Sequence, residues 1–324
     1  MTPTAESSQG ENQTATSDRS SLADADVAGW CRDLGIPGLV DAHVHFLPSS
    51  IMSRVWEHFA AAGPLIGRPW PVTYQGTDDE RVARLRDLGV RWFSALPYAH
   101  RPGVAGYLND WAAAFASRTD GCLSSATFYP EEGAGDEVTR RIEAGAQVFK
   151  THVQVGNFDP RDPLLEPVWS ALAESGLPVV IHAGSGPVPN AHTGPGPISD
   201  VLAAHPSLCA VIAHMGAPEY DEFIALAERY ERVYLDTTMV FTHFFEAMAP
   251  FPDRWLPRIV ALRDKILLGS DFPNIPYPYA HQIESLDRLD LGDEWLRAVC
   301  WDNGVRLFGL PENASENVSE NVSE

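Results

Sequence analysis

A single closed (β/α)8 TIM barrel is the fold this sequence predicts, and three observations carry the prediction. Eight short runs rich in β-branched and aromatic residues, apolar on both faces, alternate with amphipathic helical stretches, as buried parallel strands do. They occupy about 270 residues with no interior segment that reads as a linker, which fits one barrel better than two domains. No Gly-x-Gly-x-x-Gly follows the first run, so an open doubly wound sheet, the competing arrangement, lacks its phosphate-binding turn.

In chain order the predicted strands are 38–46, 90–96, 123–129, 147–152, 178–182, 209–214, 233–238 and 265–271. The helices between them carry local punctuation. Thr77 with Glu80 makes a capping box before 81–88, and Gly89 stops that helix; similar helices end at Gly145 and Gly176. The first connection, 48–77, is long for a βα loop and carries Trp56, Phe59, Trp70 and Tyr74. It reads either as an aromatic roof over a pocket or as plain packing or an oligomer contact. Residues 1–27 are polar and acidic and are expected to be a disordered tail, as is the repetitive polar segment 312–324; the barrel is assigned to 28–311.

Composition narrows the class of partner. The chain has 324 residues, 44% of them hydrophobic and 21% charged, enough for a large core, and no apolar run approaches the roughly 18 residues of a membrane span. A net charge of −21 repels phosphate backbones and anionic lipid, so a small-molecule substrate is expected rather than nucleic acid or a membrane surface, with a homo-oligomer left open. Cys31, Cys122, Cys209 and Cys300 are far apart and form no CxxC pair, which argues against a disulfide framework and a cysteine zinc site. With no basic, apolar leader at the start of the sequence, reduced thiols in the cytoplasm are the expectation.

The chemistry is carried by residues at the ends of the predicted strands. Alternation along the first strand puts His43 and His45 of Asp41-Ala-His-Val-His45 on one face, so that both imidazoles converge. Alone, that pair is as well explained by hydrogen bonds as by a metal. Lys150, His182, His214 and Asp271 also fall at carboxyl ends of strands, which in a barrel share one mouth, and Lys150, His182 and His214 are spaced 32 residues apart, one βα unit each. A core histidine or a helix-capping Asp is the ordinary fate of each taken singly. Four histidines and an Asp at one rim are not an ordinary coincidence, and a metal centre is the joint reading. Donors of this kind, without thiolate, suit zinc first, then iron, manganese or cobalt. His152 and Gln154, beyond Lys150 on the same face, are candidate substrate contacts, and Tyr277 or Tyr279 is a candidate for the space above the site. His58, His100, His192, His205, His243 and His281 read as rim or surface residues.

Taken together, Val40-Asp-Ala-His-Val-His-Phe46, Phe149-Lys-Thr-His152, Leu177-Pro-Val-Val-Ile-His-Ala-Gly184, Val211-Ile-Ala-His-Met-Gly216 and Leu268-Gly-Ser-Asp-Phe-Pro273 resemble the motifs of the amidohydrolase superfamily, in its amidohydrolase-related (family 2) branch. The resemblance spans about residues 38–310. It implies a metal-dependent hydrolase of amide, ester, lactone or thioester bonds. In that reading His43 and His45 bind a buried ion, His182 and His214 a second one, a carbamylated Lys150 bridges a dinuclear centre, and Asp271 is both ligand and proton carrier. Single-metal relatives imply an alternative, a nonoxidative decarboxylase or hydratase, in which the position of His214 acts as acid or base.

Overall fold

The computed structural model describes residues 21–311, so the expected tails at 1–20 and 312–324 lie outside the described residues. All ladders are parallel. One sheet has the order β1 (Leu39–Asp41), β2 (Val90–Ser94) and β3 (Cys122–Leu123). The other runs β4 (Ser125–Thr127), β5 (Val148–His152), β6 (Val179–His182), β7 (Ala210–Ile212), β8 (Val233–Asp236) and β9 (Ile266–Leu267) in sequence order. The two sheets are joined into a TIM barrel at both seams. At one, Ala42 N–H donates to Leu268 O at 2.9 Å and Asp271 N–H to His43 O at 2.9 Å, stitching the continuation of β9 to that of β1. At the other, β3 and β4 are the two halves of the third predicted strand, parted only at Ser124.

The ladders are shorter than the apolar runs because serine side chains take backbone partners in their place. Ser125 Oγ donates to Leu123 O and accepts from Ala95 N–H at 3.0 Å, which breaks the third strand in two. Ser94 Oγ accepts from Val44 N–H at 3.1 Å and donates to Ala42 O at 2.8 Å, so the first regular strand ends at Asp41. His43 and His45 therefore stand just past β1, on a buried segment. The strands are apolar on both faces because the barrel interior takes one face and the helical layer the other; Val148, Phe149, Val179, Val180, Ile181 and Val211 are all inaccessible to solvent.

The chain enters the fold earlier than the 28–311 assignment. Asp24–Asp26 form a single 3-10 turn, and Val27, the first residue of the helix Val27–Leu34, is completely buried. Asp24 is the anchor: one carboxylate oxygen accepts from Tyr74 O–H, and the other from Ala280 N–H at 3.0 Å. Tyr74 in turn accepts Tyr279 N–H at 2.6 Å. A phenylalanine at position 74 would leave a buried N–H and a carboxylate without their partner. Tyr74→Phe is expected to lower stability by about 1–3 kcal/mol, read from the midpoint of urea denaturation at unchanged slope. All four cysteines are free.

Candidate metal centre

The carboxyl ends of the strands bring His43, His45, Lys150, His182, His214 and Asp271 to one mouth of the barrel, all of them less than a tenth exposed. Within that group, one ring nitrogen each from His43 and His45 and one carboxylate oxygen of Asp271 lie within 4.8 Å of one another. Asp271 Oδ1 is 3.0 Å from His45 Nε2 and 3.8 Å from His43 Nε2.

Which nitrogen of each ring carries its proton follows from the partner opposite. A backbone carbonyl only accepts, so the nitrogen facing it must be N–H, and the second nitrogen keeps a lone pair. His45 Nδ1 faces Leu96 O at 2.9 Å, and His214 Nδ1 faces Thr238 O at 3.0 Å. His43 Nδ1 donates to the carboxylate Asp236 Oδ2 at 2.8 Å. These three rings thus present Nε2 lone pairs. His182 is the reverse, donating Nε2–H to Gly186 O at 3.0 Å and keeping its lone pair on Nδ1. Two lone-pair bearers, His45 Nε2 and Asp271 Oδ1, therefore face one another at hydrogen-bond distance with no proton assigned between them. A cation resolves that contact, and the donor set of imidazole nitrogen and carboxylate oxygen fits a divalent transition ion.

Charge reinforces the arrangement. Burial, with the Lys150 ammonium beside it, pushes His43 down to about 3, so the ring is neutral at physiological pH. Burial also lowers His152, His182 and His214. Asp236 is pushed up by burial, yet its donors prevail and hold it well below the ordinary carboxylate range; besides His43 it accepts from His214 N–H at 2.9 Å and Thr238 N–H at 3.1 Å. Asp271 likewise lies below the ordinary carboxylate range despite the cost of burial. Burial lowers Lys150 to about 8, and its Nζ lies 3.2 Å from His43 Nε2.

Two of the chemistry-bearing residues sit in left-handed backbone, His214 at φ 53 and Asp271 at φ 71. Such conformations cost about 1–3 kcal/mol each in non-glycine residues and persist where surrounding bonds enforce them. The bonds here are Asp236 to His214 N–H and His43 O to Asp271 N–H. Beside Asp271, Gly269 is required by close approach: a Cβ there would collide with Thr238 Oγ1 and sit 3.0 Å from the Cβ of His43.

The mouth opens into a cavity of about 450 Å³. Helices Ser49–Ala61 and Gly63–Ile66 and the segment after them cover it with Ile51, Val55, Phe59, Leu65, Ile66 and Trp70, so the long first connection is a roof. His152 and Gln154 line it, as the sequence predicts for substrate contacts. Tyr277 and Tyr279 do not reach it. Tyr279 is fully buried, its hydroxyl donating to Asp41 Oδ2 at 2.8 Å, and Tyr277 packs against His281 and Phe244. His58 and His100, read from the sequence as rim or surface residues, belong to the cavity wall. Tyr98 and Asp236 were not singled out at all. The only local signal for Asp236 is a carboxylate closing an apolar run, and for Tyr98 an aromatic just past the end of the second predicted strand, five residues beyond Phe93.

A barrel with a buried three-donor group at its carboxyl mouth, under a roofed cavity, defines an enzyme of the class that works at a bound metal. The chain belongs to the amidohydrolase family: the Amidohydrolase model (Amidohydro_2) matches residues 40–310. No curated protein sequence matches it. Among solved structures, it resembles a TIM-barrel protein from Bordetella bronchiseptica at 19% identity and TM-score 0.68, covering 84% of this chain and 98% of that one. A manganese-bound 5-carboxyvanillate decarboxylase from Novosphingobium aromaticivorans is 14% identical with TM-score 0.56, over 86% and 97% of the two chains. A probable 2-pyrone-4,6-dicarboxylic acid hydrolase from Acinetobacter baumannii is 14% identical with TM-score 0.58, over 84% and 100%. Among the described residues no helix is long and apolar enough to cross a membrane.

Asp236 is the residue that sets the tautomer of His43. Asparagine would offer an N–H of its own to Nδ1, driving the ring proton to Nε2, where the ligand lone pair is. Asp236→Asn is expected to weaken metal binding about 10- to 100-fold, measured by competition against a chromogenic chelator.

Proposed function

We propose that this protein is a metal-dependent hydrolase that cleaves an amide, ester, lactone or thioester bond of a small molecule. The observation that carries the reading is the convergence of His43, His45 and Asp271 within 4.8 Å at the floor of a roofed cavity, each imidazole with its lone pair turned by a fixed partner. These three residues would hold one divalent ion. Lys150, His182 and His214 frame a second position, to be completed by a carbamylated Lys150. Zinc is the first choice for these donors, with iron, manganese and cobalt the competitors. When bound, the ion supplies Lewis acidity and lowers the pKa of water toward about 7.

The chain's own groups divide the remaining work. Asp271 is anionic at neutral pH, and with Oδ1 turned to His45 its Oδ2 takes the proton of the attacking water and returns it to the leaving atom. His214, neutral and locked by Thr238 O, presents Nε2 as a second acceptor beside it. Asp236 holds both by way of His43 Nδ1 and His214 N–H. His152 and Gln154 contact the substrate, while the apolar roof excludes bulk water. The free thiols suit a reducing compartment, and we place the protein in the cytoplasm.

One observation favours a second reading, nonoxidative decarboxylation or hydration at a single ion: three donors converge, the complement of one metal rather than two. The two reactions leave different isotopic marks. With a panel of small acyl compounds and aromatic acids in H₂¹⁸O and D₂O, hydrolysis puts ¹⁸O into the acyl product. Decarboxylation releases carbon dioxide and puts deuterium on carbon. Product carrying ¹⁸O without new carbon-bound deuterium, and loss of turnover on chelation with recovery on adding zinc or manganese, is the expected result; carbon-bound deuterium, with ¹⁸O for a hydratase or without it for a decarboxylase, would replace hydrolysis with the lyase.

A further inference from the structure

His152 differs from His43, His45 and His214 in the direction of its proton and shares the tautomer of His182, but its Nε2–H, unlike that of His182, has no carbonyl partner among the described residues. Its Nδ1 accepts the backbone N–H of Val155 at 3.3 Å, as the cap of the short turn Val153–Gly156. A backbone N–H only donates, so Nδ1 carries the lone pair and Nε2 the hydrogen. His43, His45 and His214 bring lone pairs into the mouth on Nε2; His152 brings an N–H. Its ring is stacked on His182 with centroids 3.9 Å apart and planes 13° from parallel, which fixes its orientation.

Tyr98 stands beside it. The phenol ring meets His45 edge-on, with centroids 5.4 Å apart, and is tilted against His152 at 5.5 Å. Both Tyr98 and His152 line the cavity, and the Tyr98 hydroxyl makes no hydrogen bond to any described residue. Position 98 is set by the same segment that fixes the metal triad, since Leu96 O, two residues earlier, orients His45. The cavity wall therefore places an O–H and an N–H, both uncharged, beside each other and against the rings of His45 and His182. Apart from Lys150, whose Nζ faces His43 Nε2, the one lysine or arginine side chain at the cavity is Arg54, exposed on the roof.

We infer that Tyr98 and His152 together receive the carbonyl oxygen of the substrate, and that the reacting group is a neutral carbonyl rather than a carboxylate. Two preorganised donors beside a nucleophile site stabilise negative charge as it develops on that oxygen, and uncharged donors do so without drawing a substrate anion into the site beforehand. The inference rests on the hydrolytic reading for the bond that is broken. Its test does not, because an aldehyde is bound without being hydrolysed.

The probe is 4-(dimethylamino)cinnamaldehyde, a neutral conjugated aldehyde whose absorption moves to the red when its oxygen accepts hydrogen bonds. Titrated into the metal-loaded wild-type protein, it is expected to bind with a red shift. Tyr98→Phe and His152→Leu should each reduce the shift and weaken binding about three- to tenfold, as loss of one neutral hydrogen bond predicts. His152→Gln, which keeps an N–H donor at the outer position, should recover most of both. Near-UV circular dichroism and metal content of each variant separate lost contacts from lost fold. An aldehyde that fails to bind at millimolar concentration overturns the inference. So does a shift that both variants retain, or a tighter grip on the matching cinnamate anion than on the aldehyde. An active hydrolase with such a result would keep its reaction and lose this pair; a silent enzyme with the expected shifts would keep the pair and lose the reaction.

Discussion

Asp271→Asn is expected to reduce turnover about 10²- to 10⁴-fold while the protein folds and melts as before. The carboxamide occupies the same volume and preserves the backbone bond from Asp271 N–H to His43 O, so the left-handed conformation at this position is kept. What it removes is the negative charge and the ability to accept a proton. In the wild type, burial works against that charge, yet the carboxyl stays below the ordinary carboxylate range. Steady-state kinetics on any acyl compound that the wild type cleaves, with metal content measured on the same samples, would test it. A variant that retains its metal and still turns over within threefold of wild type removes Asp271 from the proton path.

The six positions at the barrel mouth were legible in the sequence because the relevant signals are local. Alternation places His43 and His45 on one face, and the spacing of one βα unit places Lys150, His182 and His214 at successive strand ends. Their division of labour was not legible, since it depends on partners far away in the chain. Asp236 selects the tautomer of a histidine 193 residues earlier. Gly186, four residues beyond His182, takes that ring's Nε2–H, so His182 offers its other nitrogen. Strand lengths were overestimated for a related reason. An apolar run records burial, and burial continues past the last ladder bond wherever a serine hydroxyl replaces a strand partner, as at Ser94 and Ser125. Tyr279 looked like a lid residue because it follows Asp271 closely; instead its hydroxyl satisfies Asp41, whose other oxygen accepts His43 N–H and Ser270 N–H at 3.1 Å each. The start of the fold was misplaced because Asp24 looks like the acidic residues before it, and only Tyr74 and Ala280, distant in sequence, give it a role.

Lys150→Met should change the metal stoichiometry, and the reason lies in the charge on one nitrogen. As an ammonium, Lys150 Nζ sits 3.2 Å from His43 Nε2 and competes with any cation for the same lone pair. Burial lowers its pKa from 10.5 to about 8, so at pH 8 a large fraction is the free amine. The sign follows directly: the free-amine fraction, and with it tolerance of a cation, rises as the pH increases through 8 and falls below it. The amine is also the form that adds to carbon dioxide, forming an N–C bond and releasing one proton to give an anionic carbamate. Wild-type protein prepared at pH 8 with bicarbonate and excess zinc is therefore expected to hold two ions per chain, and Lys150→Met one, with turnover reduced at least 100-fold. Elemental analysis counts the ions, and ¹³C NMR with labelled bicarbonate shows a carbamate resonance in the wild type that is absent from the variant. If the variant instead keeps the wild-type metal content and rate, the ion held by His43, His45 and Asp271 suffices. Lys150 is then a buried amine that has to surrender its proton before that ion can bind, and metal affinity in the wild type alone would climb steeply between pH 7 and 9.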